Sequence, residues 1–314
     1  MKKKSSNLSL KQRILNKKRE GMVEKSTGAD LILDIVVYAI LVVCSFVFLI
    51  PLWHVLMSSF SVGNELFAKS GIVWWPITPE GQGWNFGGYE LMFSYSGVMV
   101  GYGNTLLYVV ASTLLGLVLN VMGGYVMSRQ SRLQPFFIIY VLITMMFSGG
   151  MIPTYMVVKT LGLVESRLAI ILLSCTNALY MVLTMNAFRG VNASTIEAAE
   201  IDGAGHFTIM FKVMLPQAMS MISVVLLFTI VGIWNSWFEA KIYTPFNTEA
   251  WPLQLWINKI SADNADFLLQ TKPDWNKYVL TYSVIVAATA PILIVATVFQ
   301  KWIEKGVIMG GVKE

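Results

Sequence analysis

Long apolar runs dominate this chain of 314 residues and limit its fold more than any other feature. The first run, Leu31 to Phe60, is long enough to cross a bilayer, which takes about 20 apolar residues in a helix. Further runs of that length follow it along the chain. Only 13% of the residues are charged, against roughly 25% in a soluble domain, so the chain cannot cover its surface in water. The sequence therefore predicts an integral membrane protein.

Six helical spans are predicted, because lipid accepts only helices or closed barrels and these runs are too long for barrel strands. Gly149, Gly150 and Pro153 favour a break and a short surface segment after the third span. The fold class is therefore all-α integral membrane. The predicted spans are 31–58, 98–127, 135–152, 166–187, 217–238 and 279–301.

Basic residues predict the orientation in the membrane. Nine of the 23 Lys and Arg residues precede Leu31, and loops rich in these residues stay in the cytoplasm. We therefore expect both termini in the cytoplasm, with a basic arm (1–30) facing lipid headgroups. On this topology the loop 194–216 is cytoplasmic. Two Trp-rich loops, about 59–97 and about 239–278, are extracellular, where their aromatic rings anchor at the interface or form a docking surface for an external partner.

Several classes of function are disfavoured by what the sequence lacks. His54, His206, Cys44 and Cys175 stand apart, so no metal site is expected, and both cysteines are interpreted as small buried apolar residues. No Gly-Lys dipeptide occurs, which excludes a G-x-x-x-x-G-K-[ST] phosphate loop. No cluster of nucleophile, base and acid indicates an enzyme, and no aromatic residues interleave with the basic arm to indicate nucleic-acid binding.

Two other kinds of membrane protein remain as alternatives. An ion-coupled secondary transporter that works alone needs charged residues buried in the membrane, but Asp34 is the one acidic residue in the predicted spans. A membrane anchor for a signalling partner needs a soluble domain, and none of the loops is long enough for one.

The loop between the fourth and fifth predicted spans has the pattern of two short helices. Ser194 and Glu197 match the S-x-x-E capping box, so a helix is expected to begin at Thr195, and Gly203 is expected to break or bend it. A second helix is expected to carry one apolar stripe and to end at Pro216. The stripe consists of Phe207, Met210, Phe211 and Met214.

This loop has two possible contact surfaces, lipid and protein. An amphipathic helix would lie on lipid, but anionic lipid would repel an acidic loop whose one basic residue is Lys212. Docking into a groove of another protein is therefore favoured. Glu197 has two compatible roles, as the capping-box acid or as a partner of an arginine on the other protein. Asp202 either caps the second helix or faces the partner, and Glu200 adds to the acidic charge.

The spacing E-A-A, three residues, G, nine residues, an aliphatic residue, one residue, L-P resembles the signature of ABC-importer permeases. It consists here of Glu197-Ala198-Ala199, Gly203, Val213 and Leu215-Pro216, with valine in place of the usual isoleucine. The stretches "WNSWFEAKIY" and "FQKWIEKGVIMGGVKE" are similar to the maltose-type carbohydrate permeases. "FSGGMIPTYMVVKTLGL", "IDGAGHF" and "WPLQL" resemble the branch that imports complex oligosaccharides and polysaccharides in Gram-positive bacteria. The stretch "GVNAST" departs from the family, which commonly has Ile-Pro before the acidic helix.

The resemblance implies a type I ABC importer permease fold. Its parts are the arm 1–30, the first transmembrane helix with an extracellular loop (31–96), a core domain of five transmembrane helices (97–303) and a cytoplasmic tail (304–314). It also implies that the loop 194–216 couples to a cytoplasmic ATPase. The implied coupling residues are Glu197, Ala198, Ala199, Asp202, Gly203, Ala204, Phe207, Leu215 and Pro216.

The partners implied by the resemblance are two copies of that ATPase, which binds ATP and Mg, a second and different permease, and an extracellular solute-binding protein. The implied substrate is an oligosaccharide or polysaccharide fragment, and the implied location is the plasma membrane of a Gram-positive bacterium. The chain itself would hold no cofactor and catalyse no reaction.

Polar and aromatic residues within the spans are candidates for the sugar path, because an unpaired polar group in lipid is costly. The alternative for each is hydrogen bonding between helices or anchoring at the interface. Asn235 between Trp234 and Trp237 is the preferred candidate, since an amide and aromatic rings suit the hydroxyls and the apolar face of a sugar. The other candidates are Asn120, Asn177, Tyr180, Asn104, Asn186 and Tyr155.

Overall fold

The computed structural model describes residues 28–262 and 277–311, and these are mostly helical. Two-residue strands, β1 (Ile77–Thr78) and β2 (Gly81–Gln82), form a small antiparallel hairpin. A 3₁₀ turn covers Thr248–Ala250. The helices are α1 (Gly28–Ser59), α2 (Gly63–Ala68), α3 (Gly87–Ser94), α4 (Ser96–Ser128), α5 (Gln134–Met146), α6 (Met151–Thr160), α7 (Arg167–Ser174), α8 (Ala178–Arg189), α9 (Ala193–Ile201), α10 (His206–Trp234), α11 (Phe238–Tyr243), α12 (Leu253–Ala262) and α13 (Lys277–Gly311).

Four of these helices, α1, α4, α10 and α13, are long and apolar enough to cross a membrane. Two more spans form if each bent pair of helices counts as one span. The chain bends by 113° between α5 and α6 and by 41° between α7 and α8. The predicted third span, 135–152, is wrong at its end, because α5 stops at Met146. The predicted break is confirmed there: Gly150 has a φ of 84°, a backbone conformation that favours glycine.

Contacts divide the chain between His54 and Val55. In the first unit, α1 exposes almost all of its apolar side chains from Ile32 to Leu49, as expected of a helix that faces lipid. Cys44 is among the exposed residues, so its prediction as a buried residue is wrong, whereas Cys175 in the second unit is buried as predicted.

In the second unit, α4 is the central helix and packs against α8, α10 and α12. Its small residues permit close approach: a Cβ atom at Gly116 would clash with the carbonyl oxygen of Cys175. A Cβ atom at Gly124 would lie 2.8 Å from Cγ2 of Thr184. Close backbone packing through small residues is typical of membrane helix pairs, so α4 and α8 form one tightly packed pair.

Hydrogen bonds attach residues 249–251, which follow α11, to α4. The Asn104 amide donates to the carbonyl oxygens of Glu249 (2.6 Å) and Trp251 (2.9 Å), and the Tyr108 hydroxyl donates to that of Ala250 (2.6 Å). Asn104 therefore forms hydrogen bonds between separate elements. Such bonding was the stated alternative to a place in the sugar path.

Candidate functional site

The predicted cytoplasmic loop forms a helical elbow (residues 194–216) made of α9 and the first turns of α10. The predicted capping box is wrong. Asn192 is the N-cap, with its side-chain oxygen accepting from the Ser194 amide at 3.1 Å, so α9 begins at Ala193. Asparagine is as good an N-cap as serine. Glu197 therefore lies in the second helical turn, too far along for a capping box, and its side chain is exposed.

Gly203 separates the two parts of the elbow, as predicted. Its φ is 78°, and it directly follows Asp202, the C-cap of α9. The expectation that Asp202 caps the next helix is wrong, because Gly205 is at that position and no side chain caps α10. Asp202 is exposed, which leaves its predicted role toward a partner.

The second part of the elbow differs from the prediction in its helical geometry. Residues Ile209–Met214 form a π-helical stretch, in which the Leu215 amide donates to the carbonyl oxygen of Met210. Because π-helical bonds run from i to i+5, the regular period of 3.6 residues does not continue through it. The predicted single stripe is therefore wrong: Met210 and Met214 are buried, whereas Phe207 and Phe211 are exposed.

Pro216 does not end this helix, contrary to the prediction, and α10 runs through it to Trp234. Proline lacks an N–H and clashes with the carbonyl of residue i−4 in a regular α-helix. The π-helical stretch immediately before Pro216 supplies the irregular geometry that such a residue needs. The second part of the elbow, from His206 onward, and the following span are consequently one helix.

The outer surface of the elbow combines apolar and acidic side chains. Ile201 and Phe207 are 87% and 69% exposed, and the exposed carboxylates of Glu197 and Asp202 lie on the same short segment. Ala198 is exposed, while Ala199 and Ala204 pack partly against the protein interior. Such a mixed surface suits a groove on another protein.

The inner surface of the elbow is anchored on three helices. It packs on an apolar cluster, called here the inner cluster, through the partly buried side chains of Ile196, Ala199, Ala204 and Leu215. The inner cluster consists of Val121, Tyr125, Phe188, Val191, Ile209, Met210, Met214, Ala218 and Ile222, which belong to α4, α8 or the segment after it, and α10.

Two polar contacts join the elbow to α4. Arg129, at the end of α4, forms an ion pair with Glu200 of α9, and the Tyr125 hydroxyl is hydrogen bonded to Nδ1 of His206 at 3.1 Å. A cavity of about 620 Å³ lies beside this ion pair and is also lined by Glu197 and Arg189. These contacts of Arg129, Tyr125 and His206 were not predicted from the sequence, because contacts between residues 71 and 81 positions apart leave no local pattern.

A second candidate site lies at the break between α7 and α8. Asn177 is the N-cap of α8, with its side-chain oxygen accepting from the Leu179 amide at 2.9 Å. Asn177 and Tyr180 line a cavity of about 210 Å³ together with Ser236 and Glu239, which follow the end of α10. This cavity, called here the path cavity, therefore brings together two predicted residues, Asn177 and Tyr180, and the other residues that line it, Ser236 and Glu239 among them, were not predicted.

Glu239 gives the path cavity a negative charge. Burial, and then the nearby carboxylate of Glu239, raises the pKa of Tyr243 on the same helix, α11. The residues that line the cavity in the described part of the chain are otherwise neutral, with hydroxyl, amide and apolar side chains. Such a lining offers hydrogen bonds of both directions to a polar solute.

The other predicted path residues do not line this cavity. Trp234 is buried and its indole N–H donates to the carbonyl oxygen of Ala288 at 3.0 Å, which joins α10 to α13. The exposed Asn235 donates to the carbonyl oxygen of Val231, and Trp237 has the Lys241 ammonium 5.6 Å from its ring centre. Trp234 is thus buried and the ring of Trp237 is approached by Lys241. Asn235 therefore does not lie between two aromatic rings that are open to a sugar.

Asn120 lies deep between helices on α4. It is 1% exposed, and its side-chain oxygen has no hydrogen-bond partner among the described residues. It is one turn from Gly116, where α4 contacts the α7–α8 break.

Comparisons with known proteins agree with the resemblance of the elbow sequence to the signature of ABC-importer permeases. Residues 125–309 match the family described as "Binding-protein-dependent transport system inner membrane component". The chain is 31% identical to the polygalacturonan/rhamnogalacturonan transport system permease protein YtcP of Bacillus subtilis over 293 residues, which covers 89% of this chain and 98% of that protein. It is 26% identical to the diacetylchitobiose uptake system permease protein NgcG of Streptomyces coelicolor, which covers 87% of each.

The fold is similar to that of a solved transporter. A chain in the crystal structure of a bacterial ABC transporter involved in the import of the acidic polysaccharide alginate superposes with a TM-score of 0.79 at 27% identity. The match covers 89% of this chain and 99% of that chain.

Proposed function

This chain belongs to the family of binding-protein-dependent transport system inner membrane components, and from that premise we propose that it is a permease subunit of an ABC importer for oligosaccharides or polysaccharide fragments. The named relatives belong to transport systems for polygalacturonan/rhamnogalacturonan and for diacetylchitobiose, and the superposable transporter is involved in the import of alginate. Carbohydrate is the substrate class that these proteins share.

The observation that carries the proposal is the elbow. It exposes apolar and acidic side chains, including Ile201 and Glu197, while its inner surface is anchored on the inner cluster. Because α10 runs unbroken from His206 to Trp234, a rotation of the elbow also tilts a helix of about 43 Å at 1.5 Å per residue. An element so placed can pass movement from a partner to the membrane helices.

The energy for transport comes from another subunit in this proposal. The sequence has no phosphate loop, so ATP and Mg bind to a cytoplasmic ATPase, with one copy under each of two permeases. The second permease is a different chain, and an extracellular solute-binding protein delivers the substrate. This permease subunit catalyses no reaction and lies in the plasma membrane, with six spans and both termini in the cytoplasm.

The path cavity is the proposed place where this subunit contacts the sugar. Asn177, Ser236 and Tyr180 offer amide and hydroxyl groups to sugar hydroxyls, and the Tyr180 ring suits an apolar sugar face. A break within a membrane helix is a common place for a solute site, because freed backbone groups and a helix terminus face the cavity.

Replacing Glu197 with alanine tests the docking role. In a membrane complex expressed with its cognate ATPase, Glu197→Ala should weaken co-purification of the ATPase and lower sugar uptake at least about fivefold, as truncation of a central charged contact does. The matched control is Glu80→Ala, which removes an exposed glutamate from the hairpin between β1 and β2. Normal uptake and normal co-purification of the Glu197→Ala complex would contradict the proposal.

A further inference from the structure

The elbow is held on both sides of its bend by α4, a helix that is not its neighbour in the sequence. Glu200 lies before Gly203 and His206 lies after it, and their partners are Arg129 and Tyr125, one turn apart at the end of α4. Chain connectivity alone would join the two parts of the elbow to α8 and α10. The contacts with Arg129 and Tyr125 add α4 as a third connection.

These two contacts also help to restrict the angle of the bend. Gly203 has a positive φ, and a Cβ atom placed on it would meet no atom within 4 Å, so packing at Gly203 itself does not restrict the bend. The angle between α9 and α10 is restricted instead by the inner cluster and by the contacts of Glu200 and His206 with α4.

The same helix contacts the path cavity region near its middle. Gly116 of α4 lies against the carbonyl of Cys175, in the break between α7 and α8, and the Ser112 hydroxyl donates to the carbonyl oxygen of Ile171 at 3.1 Å. Asn177, which lines the cavity, lies two residues after Cys175. A shift of α4 therefore acts directly on the residues around the cavity.

We propose that α4 transmits movement of the elbow to the path cavity, and that Arg129 and Glu200 are positioning residues that hold α4 to the elbow during this movement. The inference rests on the proposed function, because it takes the elbow as the element that the ATPase moves. It assigns to Glu200 a role within the chain, distinct from the docking role of Glu197 on the same helix.

A charge exchange tests the role of the ion pair. The permease would be reconstituted in proteoliposomes with its partner permease, ATPase and binding protein, and sugar transported per ATP hydrolysed would be measured. Arg129→Glu and Glu200→Arg each place like charges together. Because the pair is partly exposed to solvent, each should lower this ratio by at most about fivefold, while the ATPase still co-purifies. The double variant Arg129→Glu/Glu200→Arg should restore the ratio to within about twofold of the unmodified complex.

Arg132→Glu is the matched control, since it makes the same charge change three residues beyond Arg129 and has no ion pair in the described part of the chain. It should leave the ratio unchanged. The proposal is overturned if either single variant keeps the unmodified ratio, if the double variant is no better than the single ones, or if Glu200→Arg releases the ATPase. A failure of the proposed function would instead be seen with Glu197→Ala, as normal uptake with the ATPase still bound.

Discussion

Asn192 and Glu197 illustrate how a single cap changes the interpretation of a helix. With Asn192 as N-cap, α9 begins before Thr195, where the sequence pattern predicted it to start. Of the two roles predicted for Glu197, only the contact with a partner protein is compatible with its exposed position in the second turn.

Asn192→Ala should therefore loosen α9. Loss of an N-cap side chain costs about 1 kcal/mol, so the amides of the first turn of α9 should exchange hydrogen about fivefold faster. Hydrogen exchange of the purified complex, followed by mass spectrometry, measures this rate. Ser194→Ala is the comparison, because its hydroxyl donates to Asn192 but does not cap the helix. An equal or larger effect of Ser194→Ala would favour the capping box after all.

Glu239 is the charged group of the path cavity, and its sequence context gave one signal that could have identified it. It is the acidic residue in "WNSWFEAKIY", next to the candidates Asn235 and Trp237. Its contact with the cavity depends on α11 folding back toward α7, which no local pattern predicts.

Glu239→Gln keeps the size of the side chain and removes its charge. Because charged hydrogen bonds are about twice as strong as neutral ones, uptake of a neutral oligosaccharide should fall severalfold, with an unchanged amount of bound ATPase. Uptake in cells and co-purification measure the two quantities. Glu249→Gln, at an exposed residue of the 3₁₀ turn outside the cavity, should have no effect. Equal uptake by both variants would remove Glu239 from the proposed path.

At the scale of elements, the apolar runs predicted the straight spans well and the bent ones poorly. The cores of α1, α4, α10 and α13 follow from hydropathy alone, because lipid demands a continuous apolar helix. The 41° bend between α7 and α8 and the π-helical stretch before Pro216 depend on packing against other helices. Hydropathy carries no information about such contacts, so the cavity that the bend creates could not be predicted.

The contact of α4 with the α7–α8 break gives a prediction for glycine substitutions. Gly116→Val should shift α4 away from Cys175, since the new Cβ atom would clash with a backbone carbonyl that cannot move aside. Overpacking of this kind costs about 1–3 kcal/mol, so the thermal stability of the detergent-solubilised complex should fall by several degrees. Gly103→Ala on the same helix is the control, because no atom lies within 4 Å of its Cβ position, and it should leave stability unchanged or raise it. Equal stabilities of the two variants would contradict close packing at Gly116.

At the scale of the whole molecule, the local motif could be recognised in the sequence, whereas the long-range contacts could not. The spacing from Glu197 to Pro216 indicated the family, because it lies within one short segment. The attachment of that segment to α4 through Arg129 joins residues 71 positions apart, so it is a property of the fold. The proposed docking element was thus predictable from the sequence, and its contacts with other helices were not.

The distribution of Lys and Arg predicts the orientation in the membrane, and the length of α10 predicts that its two ends lie on opposite sides. Asp202 precedes α10 and Thr248 follows it, and both are exposed. A continuous helix of about 43 Å exceeds the roughly 30 Å of a bilayer core, so these residues should lie on opposite sides. In a variant that carries Cys44→Ser and Cys175→Ala, Thr248→Cys should react with a membrane-impermeant maleimide on intact cells. Asp202→Cys should react only after the membrane is permeabilised. Labelling of Asp202→Cys on intact cells would reverse the topology, and with it the docking of the elbow on a cytoplasmic ATPase.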